Sequence, residues 1–418
     1  MRAVAIVDGE HYASVVRHAL EEMPYEFVAA VLVGGQEKLR GGEDYGVPLG
    51  ADVESTLAAF SPEVVVDLSD EPVLGPPERL ALASRVLAAG VSYVGADFRF
   101  DPPERAPFAL PSLAVVGTGK RVGKTAVTGH VARLLSSDRA VVVVAMGRGG
   151  PPEPEVVTVR PTVDALVELS RSGRHAASDH LETAALVGVA TVGCRRCGGG
   201  LAGAVATSNV LEGSRLAAQL APDLVVFDGS GAALPPIAAG GTVVVVGGHQ
   251  DPGVVSGYLN AFRLLLADLV VLSMAEEDSG WEVVRAGVAG VVPESVPIVA
   301  TTLRPRPLQS VRGRTVAYFC AAPQDAHGRL RTHLEETHGA RVVHVSGNLA
   351  NRAALRVELE TLSADVYLVE LKAAAVDVVA EAALARDAEV VLAANDLVPR
   401  AGEPDLDGLL LDVAKFRG

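Results

Sequence analysis

The stretch "AVVGTGKRVGKTAVTGHVARLL" at 114–135 decides how the chain is read. It carries Gly123, Lys124 and Thr125 as phosphate-binding loops do. The usual G-x-x-x-x-G-K-[ST] pattern, however, places its first glycine at 118, where this chain has Thr118 between Gly117 and Gly119. The flanking residues supply the order that such a loop needs: "PSLAVV" reads as a buried strand, "GTGKRVGK" as a turn and "TAVTGHVARLL" as an amphipathic helix. In that arrangement the backbone N–H groups of Gly117, Thr118, Gly119, Lys120, Arg121, Val122 and Gly123 wrap a phosphate at the positive end of the helix dipole. Lys124 would reach the β- and γ-phosphates of ATP, and the Thr125 hydroxyl would bind Mg²⁺. The competing reading is a strand-to-helix turn whose glycines serve geometry alone.

Around this loop the chain is 418 residues long, which predicts two to four domains at roughly 100–200 residues each. It is 49% hydrophobic and only 4% aromatic, the composition of parallel sheets covered by small-residue helices. The fold class expected is therefore α/β, with three doubly wound, mostly parallel units and a central P-loop NTPase domain. A net charge of −15 argues against nucleic acid or anionic lipid as a partner, because both require a basic surface. Lysine is scarce, and two of the five, Lys120 and Lys124, lie in the loop. Three cysteines are too few for a disulfide framework, no apolar run is long enough to span a bilayer, and the start "MRAVAIVDGEHY" lacks a leader pattern. A soluble, cytoplasmic protein is expected.

Two proline- and arginine-rich stretches, "RFDPPERAPFALP" at 99–111 and "LRPRPLQSVRGR" at 303–314, read as linkers. They divide the chain into an N-terminal Rossmann-like unit over 1–105, an ATP-binding unit over 112–302 and a C-terminal unit over 314–418. Each shows short β-rich runs followed by helix-like segments. Strands are predicted at 3–7, 27–33, 63–67 and 92–94, then from 112–116 through 297–300, then at 315–320, 341–345, 366–370 and 389–393.

The ends of these strands hold the remaining chemistry. "APDLVVFDGSGAALPP" at 221–236 ends a strand at Asp228, followed by Gly-Ser-Gly; a strand-ending aspartate can be a turn residue, but its pairing with the loop favours a metal role. "VVVVAMGRGGPPEPE" at 141–155 carries Arg148 in a glycine turn, either a phosphate clamp or a solvated side chain. "VGCRRCGGGLAGAVATSN" at 192–209 has two functional readings beside a structural turn. Arg195 and Arg196 with three glycines form an anion cradle, whereas Cys194 and Cys197 have metal or redox spacing, with His175 and His180 the nearby imidazoles. "VDGEHY" places Asp8, Glu10 and His11 after the first strand, as ligands or proton acceptors, or with Asp8 as a helix cap. Lys372 follows the strand ending near Glu370, in apolar company that suits a binding residue.

Taken together these elements resemble the cyclic 2,3-diphosphoglycerate synthetase family. The similar stretches are "VDGEHY", "GTGKRVGKTAV", "AMGRGGP", "GCRRCGGG" with "TSNVLEG", "DGSGAALPP" and "ELKAAAVDVVAE". The five residues between Gly117 and Gly123, with the added Lys120, are similar to the loop of dethiobiotin synthetase and other P-loop proteins of the SIMIBI class. The resemblance implies an ATP- and Mg²⁺-dependent ligase that closes 2,3-diphosphoglycerate into a phosphoanhydride ring, releasing ADP and phosphate. Lys124, Lys120 and Asp228 would be catalytic, and Thr125 and Asp228 would hold the metal. Asp8, Glu10, His11, Arg148, Arg195, Arg196 and Lys372 would meet the anionic substrate. By analogy with SIMIBI proteins a homodimer is expected. Another ATP-dependent small-molecule kinase or ligase, such as a 2-phosphoglycerate kinase, and a nucleotide-switched metallochaperone using the C-x-x-C are the alternatives.

Overall fold

A computed structural model describes residues 1–35, 39, 41–71, 73–173, 176, 178–371 and 376–415. Valine-rich runs form strands buried on both faces, as the continuous burial of Ser112–Gly117 and Val141–Gly147 shows. The helices between them cover the sheets. The structure is α/β and mostly parallel, as the composition predicts.

The first sheet has six strands. Its order runs Leu49–Gly50, Glu26–Leu32, Arg2–Val7, Val64–Asp67 and Ser92–Val94, all parallel, then the antiparallel edge Arg99–Phe100. The chain winds outward in both directions from Arg2–Val7. Helix Pro76–Ala88 docks this sheet onto helix Asn260–Leu265, and Ser84 Oγ donates to the Tyr258 carbonyl at 2.9 Å.

The second sheet has thirteen strands. Ser112–Gly117 lies between Leu224–Asp228 and Gly241–Gly247, which puts the glycine loop over the middle of the parallel region. Val141–Gly147 and Ala190–Cys197 extend it on the Asp228 side; Leu269–Ser273 extends it on the other.

The stretch expected to be a linker at 303–314 begins instead as a strand. Ile298–Pro307 pairs parallel with Leu269–Ser273 through 298–300, then antiparallel with Glu389–Pro399 through 301–307. One continuous sheet therefore includes Val366–Glu370, Thr315–Phe319 and Arg341–Ser346. Pro305 and Pro307 are accommodated because this half of the strand is paired along one side, so their missing N–H groups break no ladder. The last helix, Leu406–Val413, returns to the helix that follows the glycine loop. Leu406 and Leu410 share a core with Val127, Val131 and Leu135, and His130 Nε2 meets Asp407 Oδ1 at 2.6 Å.

Candidate active site

The glycine loop is shaped by its neighbours as much as by its own dihedrals. A Cβ at Gly117 would lie 2.8 Å from the Gly231 carbonyl oxygen, so this glycine is required by close approach of the Gly-Ser-Gly turn. Gly123 sits just before helix Lys124–Leu135 at φ +81°, and a Cβ there would lie 2.8 Å from Ser273 Oγ. That hydroxyl donates to the Val122 carbonyl at 2.5 Å. Thr118, at the position where the common pattern has glycine, is 4% exposed and bonded sideways. Its N–H donates to the Val245 carbonyl at 3.0 Å and its hydroxyl to Gln250 Oε1 at 2.6 Å. Gln250 Oε1 also accepts from the Gly247 N–H at 2.9 Å. A side chain at 118 therefore anchors the loop to the neighbouring strand end, and Gly117 and Gly119 stand where room is short.

Lys124 Nζ forms an ion pair with Asp228 Oδ1, and Thr128 Oγ1 donates to the same oxygen at 2.8 Å. Asp228 is 1% exposed, and its Oδ2 has no hydrogen-bond partner among the described residues. Burial pushes this carboxyl above the usual range, against the pull of Lys124. Asp179, at the start of helix Asp179–Val187, also acts on Asp228 electrostatically in the raising direction. A Cβ at Gly147 would lie 3.1 Å from Asp179 Oδ2, so this second carboxylate abuts the end of Val141–Gly147. The sequence signal for it was weak: an acidic residue before a helix reads as a first-turn dipole partner.

Cations collect around the turn that follows Asp228. Arg196 Nη1 donates to the Gly198 carbonyl at 2.7 Å and Nη2 to the Ser230 carbonyl at 2.9 Å. A Cβ at Gly231 would lie 3.8 Å from Lys120 Cγ and 3.9 Å from Arg196 Nη2. Burial and then the Arg148 charge lower the affinity of Arg196 for its proton, which places Arg148 within electrostatic reach. Lys120, Arg148 and Arg196 thus gather beside the Lys124–Asp228 pair, where the neighbouring strands Ala190–Cys197, Val141–Gly147, Leu224–Asp228 and Ser112–Gly117 end. An arrangement of loop amides, a buried carboxylate with a free oxygen and converging cations can bind two neighbouring polyphosphate groups.

Comparison with known proteins adds the lineage. Sequence profiles of the cyclic 2,3-diphosphoglycerate synthetase N-terminal domain, P-loop domain and C-terminal domain match residues 2–101, 112–299 and 307–396. A cyclic 2,3-diphosphoglycerate synthetase of Rubrobacter xylanophilus is 51% identical, over 100% of this chain and 98% of its own. This chain belongs to the cyclic 2,3-diphosphoglycerate synthetase family. A synthetase of Thermococcus gammatolerans is 45% identical over 99% of this chain and 96% of its own, and one of Methanothermus fervidus is 38% identical over 99% and 97%. Among solved structures, LpxK of Aquifex aeolicus in complex with ATP covers 75% of this chain and 91% of its own at 14% identity and a TM-score of 0.43, a likeness that carries no functional information. The chain is an enzyme of this synthetase family, and its P-loop domain is a nucleotide-binding one.

Within the family frame, the other candidates fall at separate places. Arg195 is exposed, and strand alternation turns its side chain to the opposite face from Arg196. Its backbone N–H donates to Asn209 Oδ1 at 2.7 Å. Asp8 is fully buried at the end of Arg2–Val7, where it accepts from His11 Nδ1 at 2.8 Å, the Asp70 N–H at 2.7 Å and the Glu10 N–H at 3.0 Å. Burial alone would raise this carboxyl; these donors outweigh it and hold Asp8 below the ordinary carboxylate value. Glu10 is exposed, and His11 Nε2 lies 3.4 Å from Asp70 Oδ2. The hydrogen bonds described for Asp8 and His11 stay inside the first unit. Lys372 and His175 lie outside the described residues.

The C-x-x-C spacing does not converge on a site. Cys194 and Cys197 share the strand Ala190–Cys197, where residues three apart face opposite sides roughly 10 Å along the strand. Cys194 is buried and Cys197 exposed. Burial pushes the Cys194 thiol up to about 12. Among the described residues no group of three His, Cys, Asp or Glu side chains is placed to hold a metal, and no helix is long and apolar enough to cross a membrane.

Proposed function

We propose that this enzyme closes 2,3-diphosphoglycerate into its cyclic phosphoanhydride at the expense of ATP, with release of ADP and inorganic phosphate. The observation that carries this reading is the gathering of Lys120, Arg148 and Arg196 beside the Lys124–Asp228 pair, which supplies cations for a second, doubly phosphorylated anion next to the nucleotide loop.

Loop amides other than that of Thr118, which donates to the Val245 carbonyl, and the start of helix Lys124–Leu135 receive the β-phosphate of ATP. Lys124 leaves Asp228 for the β- and γ-phosphates as nucleotide enters, exchanging one carboxylate for a more highly charged partner. Asp228 Oδ2, buried without a hydrogen-bond partner, fits a Mg²⁺ ligand, with Thr125 the expected second. When bound, Mg²⁺ offsets charge on the phosphates. One substrate phosphate oxygen attacks the γ-phosphorus, and the bond to ADP breaks. An oxygen of the other substrate phosphate then attacks the phosphorus of the activated one, and the transferred group departs as inorganic phosphate. Lys120, Arg148 and Arg196 hold the two phosphates together against their mutual repulsion, so the protein contributes mainly positioning and electrostatics. Asp8, Glu10, His11, Arg195 and Lys372 remain part of the substrate set in this reading, brought in by closure of the units over the substrate. The reading includes a cytoplasmic homodimer, by analogy with SIMIBI proteins.

The test is incubation with ATP, Mg²⁺ and 2,3-diphosphoglycerate, followed by phosphorus NMR. Wild type is expected to yield the cyclic product with one ADP and one phosphate, and Lys124→Ala to yield none. A phosphorylated acyclic product would establish a kinase instead, and phosphate release that ignores the substrate would overturn the reading.

A further inference from the structure

Arg263 is the buried cation that the chemistry above leaves unused. It belongs to helix Asn260–Leu265, is 2% exposed, and all four of its described hydrogen-bond acceptors are neutral. Nε donates to the Ala232 carbonyl at 2.6 Å; Nη1 donates to the carbonyls of Leu201 and Leu259, each at 3.0 Å, and to Asn260 Oδ1 at 3.1 Å. Burial lowers its guanidinium to about 10, and among the described residues no carboxylate acts on it. A buried charge held only by carbonyls is destabilising for the fold relative to an apolar residue of the same size. Its placement accounts for its presence.

Two of the acceptors belong to the loops that carry the anion-binding groups. Leu201 lies in the glycine loop after Arg196, and Ala232 lies in the Gly-Ser-Gly turn after Asp228. The same two loops are joined in front by Arg196, which donates to Gly198 and Ser230, and at their ends by the Leu234 N–H donating to the Gly203 carbonyl at 2.8 Å. Gly203 has φ +89°, and a Cβ there would lie 3.2 Å from Arg263 Nη2, so the guanidinium fills the space between the loops. Only a planar fork reaches carbonyls on both loops and on its own helix at once; an ammonium is a single point.

We propose that Arg263 is a positioning residue, which clasps the 198–203 loop to the 229–234 turn and so sets Arg196 and Asp228 at the spacing the two phosphate groups require. The proposal rests on the reading of Arg196 as a substrate contact. It assigns Arg263 no contact with substrate.

The test compares Arg263→Lys and Arg263→Met with wild type. Hydrogen exchange, read by mass spectrometry on the ligand-free proteins, is expected to accelerate at least tenfold in 198–205 and 229–234 together, with 117–123 unchanged. In steady state the KM for 2,3-diphosphoglycerate is expected to rise at least tenfold, while that for ATP stays within about twofold. Lysine, which keeps the charge but cannot bridge, should restore less than half of the lost affinity. Unchanged exchange in both loops in Arg263→Lys would overturn the proposal, as would a lowered melting temperature with both KM values intact. If Arg263→Met does not fold, Arg263→Lys decides alone. If wild type fails to turn over 2,3-diphosphoglycerate, the functional reading falls, while the exchange measurement still decides the clasp.

Discussion

Lys124 Nζ, at the start of helix Lys124–Leu135, and Asp228 Oδ1, at the end of strand Leu224–Asp228, are partners, and the shared oxygen also accepts from Thr128 at 2.8 Å. In the proposed reading the carboxylate holds the loop lysine until a polyphosphate offers it more negative charge. Removal of either group is expected to lower turnover by about 100-fold or more, the usual loss of a charge-stabilising donor. Because the two act as a unit, Lys124→Ala with Asp228→Asn should be little worse than either alone. Phosphate-release rates in the four proteins measure this; additive losses would show that the pair works independently.

Gly123 and Gly280 make a controlled comparison. Both have positive φ, +81° and +67°, but a Cβ at Gly123 would meet Ser273 Oγ at 2.8 Å, whereas Gly280 has nothing within 4 Å. Gly280→Ala is expected to lose about 1 kcal/mol from backbone strain alone and to bind ATP as wild type does. Gly123→Ala adds the displacement of Ser273, which holds the Val122 carbonyl, and should weaken ATP binding at least tenfold. Denaturant titration and calorimetric binding separate the two effects.

Arg196 and its neighbour Arg195 should behave differently despite identical chemistry. Arg196 faces Lys120 and the Ser230 turn; Arg195 lies on the other strand face. Arg196→Ala is expected to weaken equilibrium binding of the anionic substrate to the open, nucleotide-free enzyme about tenfold or more, Arg195→Ala less than threefold. Equal effects would mean that closure or a partner subunit brings Arg195 to the substrate.

Asp8 gives a pH signature. Its folded-state value is lowered, because the Asp70 amide, the His11 ring and the Glu10 amide outweigh the cost of burial. The stability it contributes is therefore fully present above its ordinary value of 3.8 and lost as pH falls through the lowered one. Asp8→Asn should lower the melting temperature near neutrality, and the gap to wild type should narrow below about pH 4. A gap constant from pH 7 to about 3 would exclude a charge-linked role.

The cysteines distinguish an enzyme from a metal carrier. Burial holds Cys194 and Cys320 near 12, so both stay protonated at neutral pH, while Cys197 is exposed. Iodoacetamide is expected to label Cys197 alone, and Cys197→Ala to keep full turnover without stoichiometric zinc in either protein. Loss of bound zinc together with activity would reinstate the metallochaperone reading.

The strands, the glycine loop and the carboxylate that ends Leu224–Asp228 were legible in the sequence, because each rests on local order: an apolar run, then glycines, then a charge. Thr118 was legible only as an irregularity. Its meaning, a tie to Gln250, depends on a residue 132 positions away. Asp179 and Arg263 were not legible at all. A first-turn aspartate and a helical arginine look like surface residues until the sheet order brings one to Gly147 and buries the other beneath Leu201 and Ala232. The stretch at 303–314 misled for a related reason. Prolines argue against a strand locally, yet pairing along one side makes their missing donors harmless, and whether a strand has one neighbour or two is set by the whole sheet. The sequence by itself determined which segments are strands and where phosphate can bind, since periodicity and glycine placement act over a few residues. Which charges gather beside that loop was decided by the tertiary structure, because electrostatic partners are chosen through space.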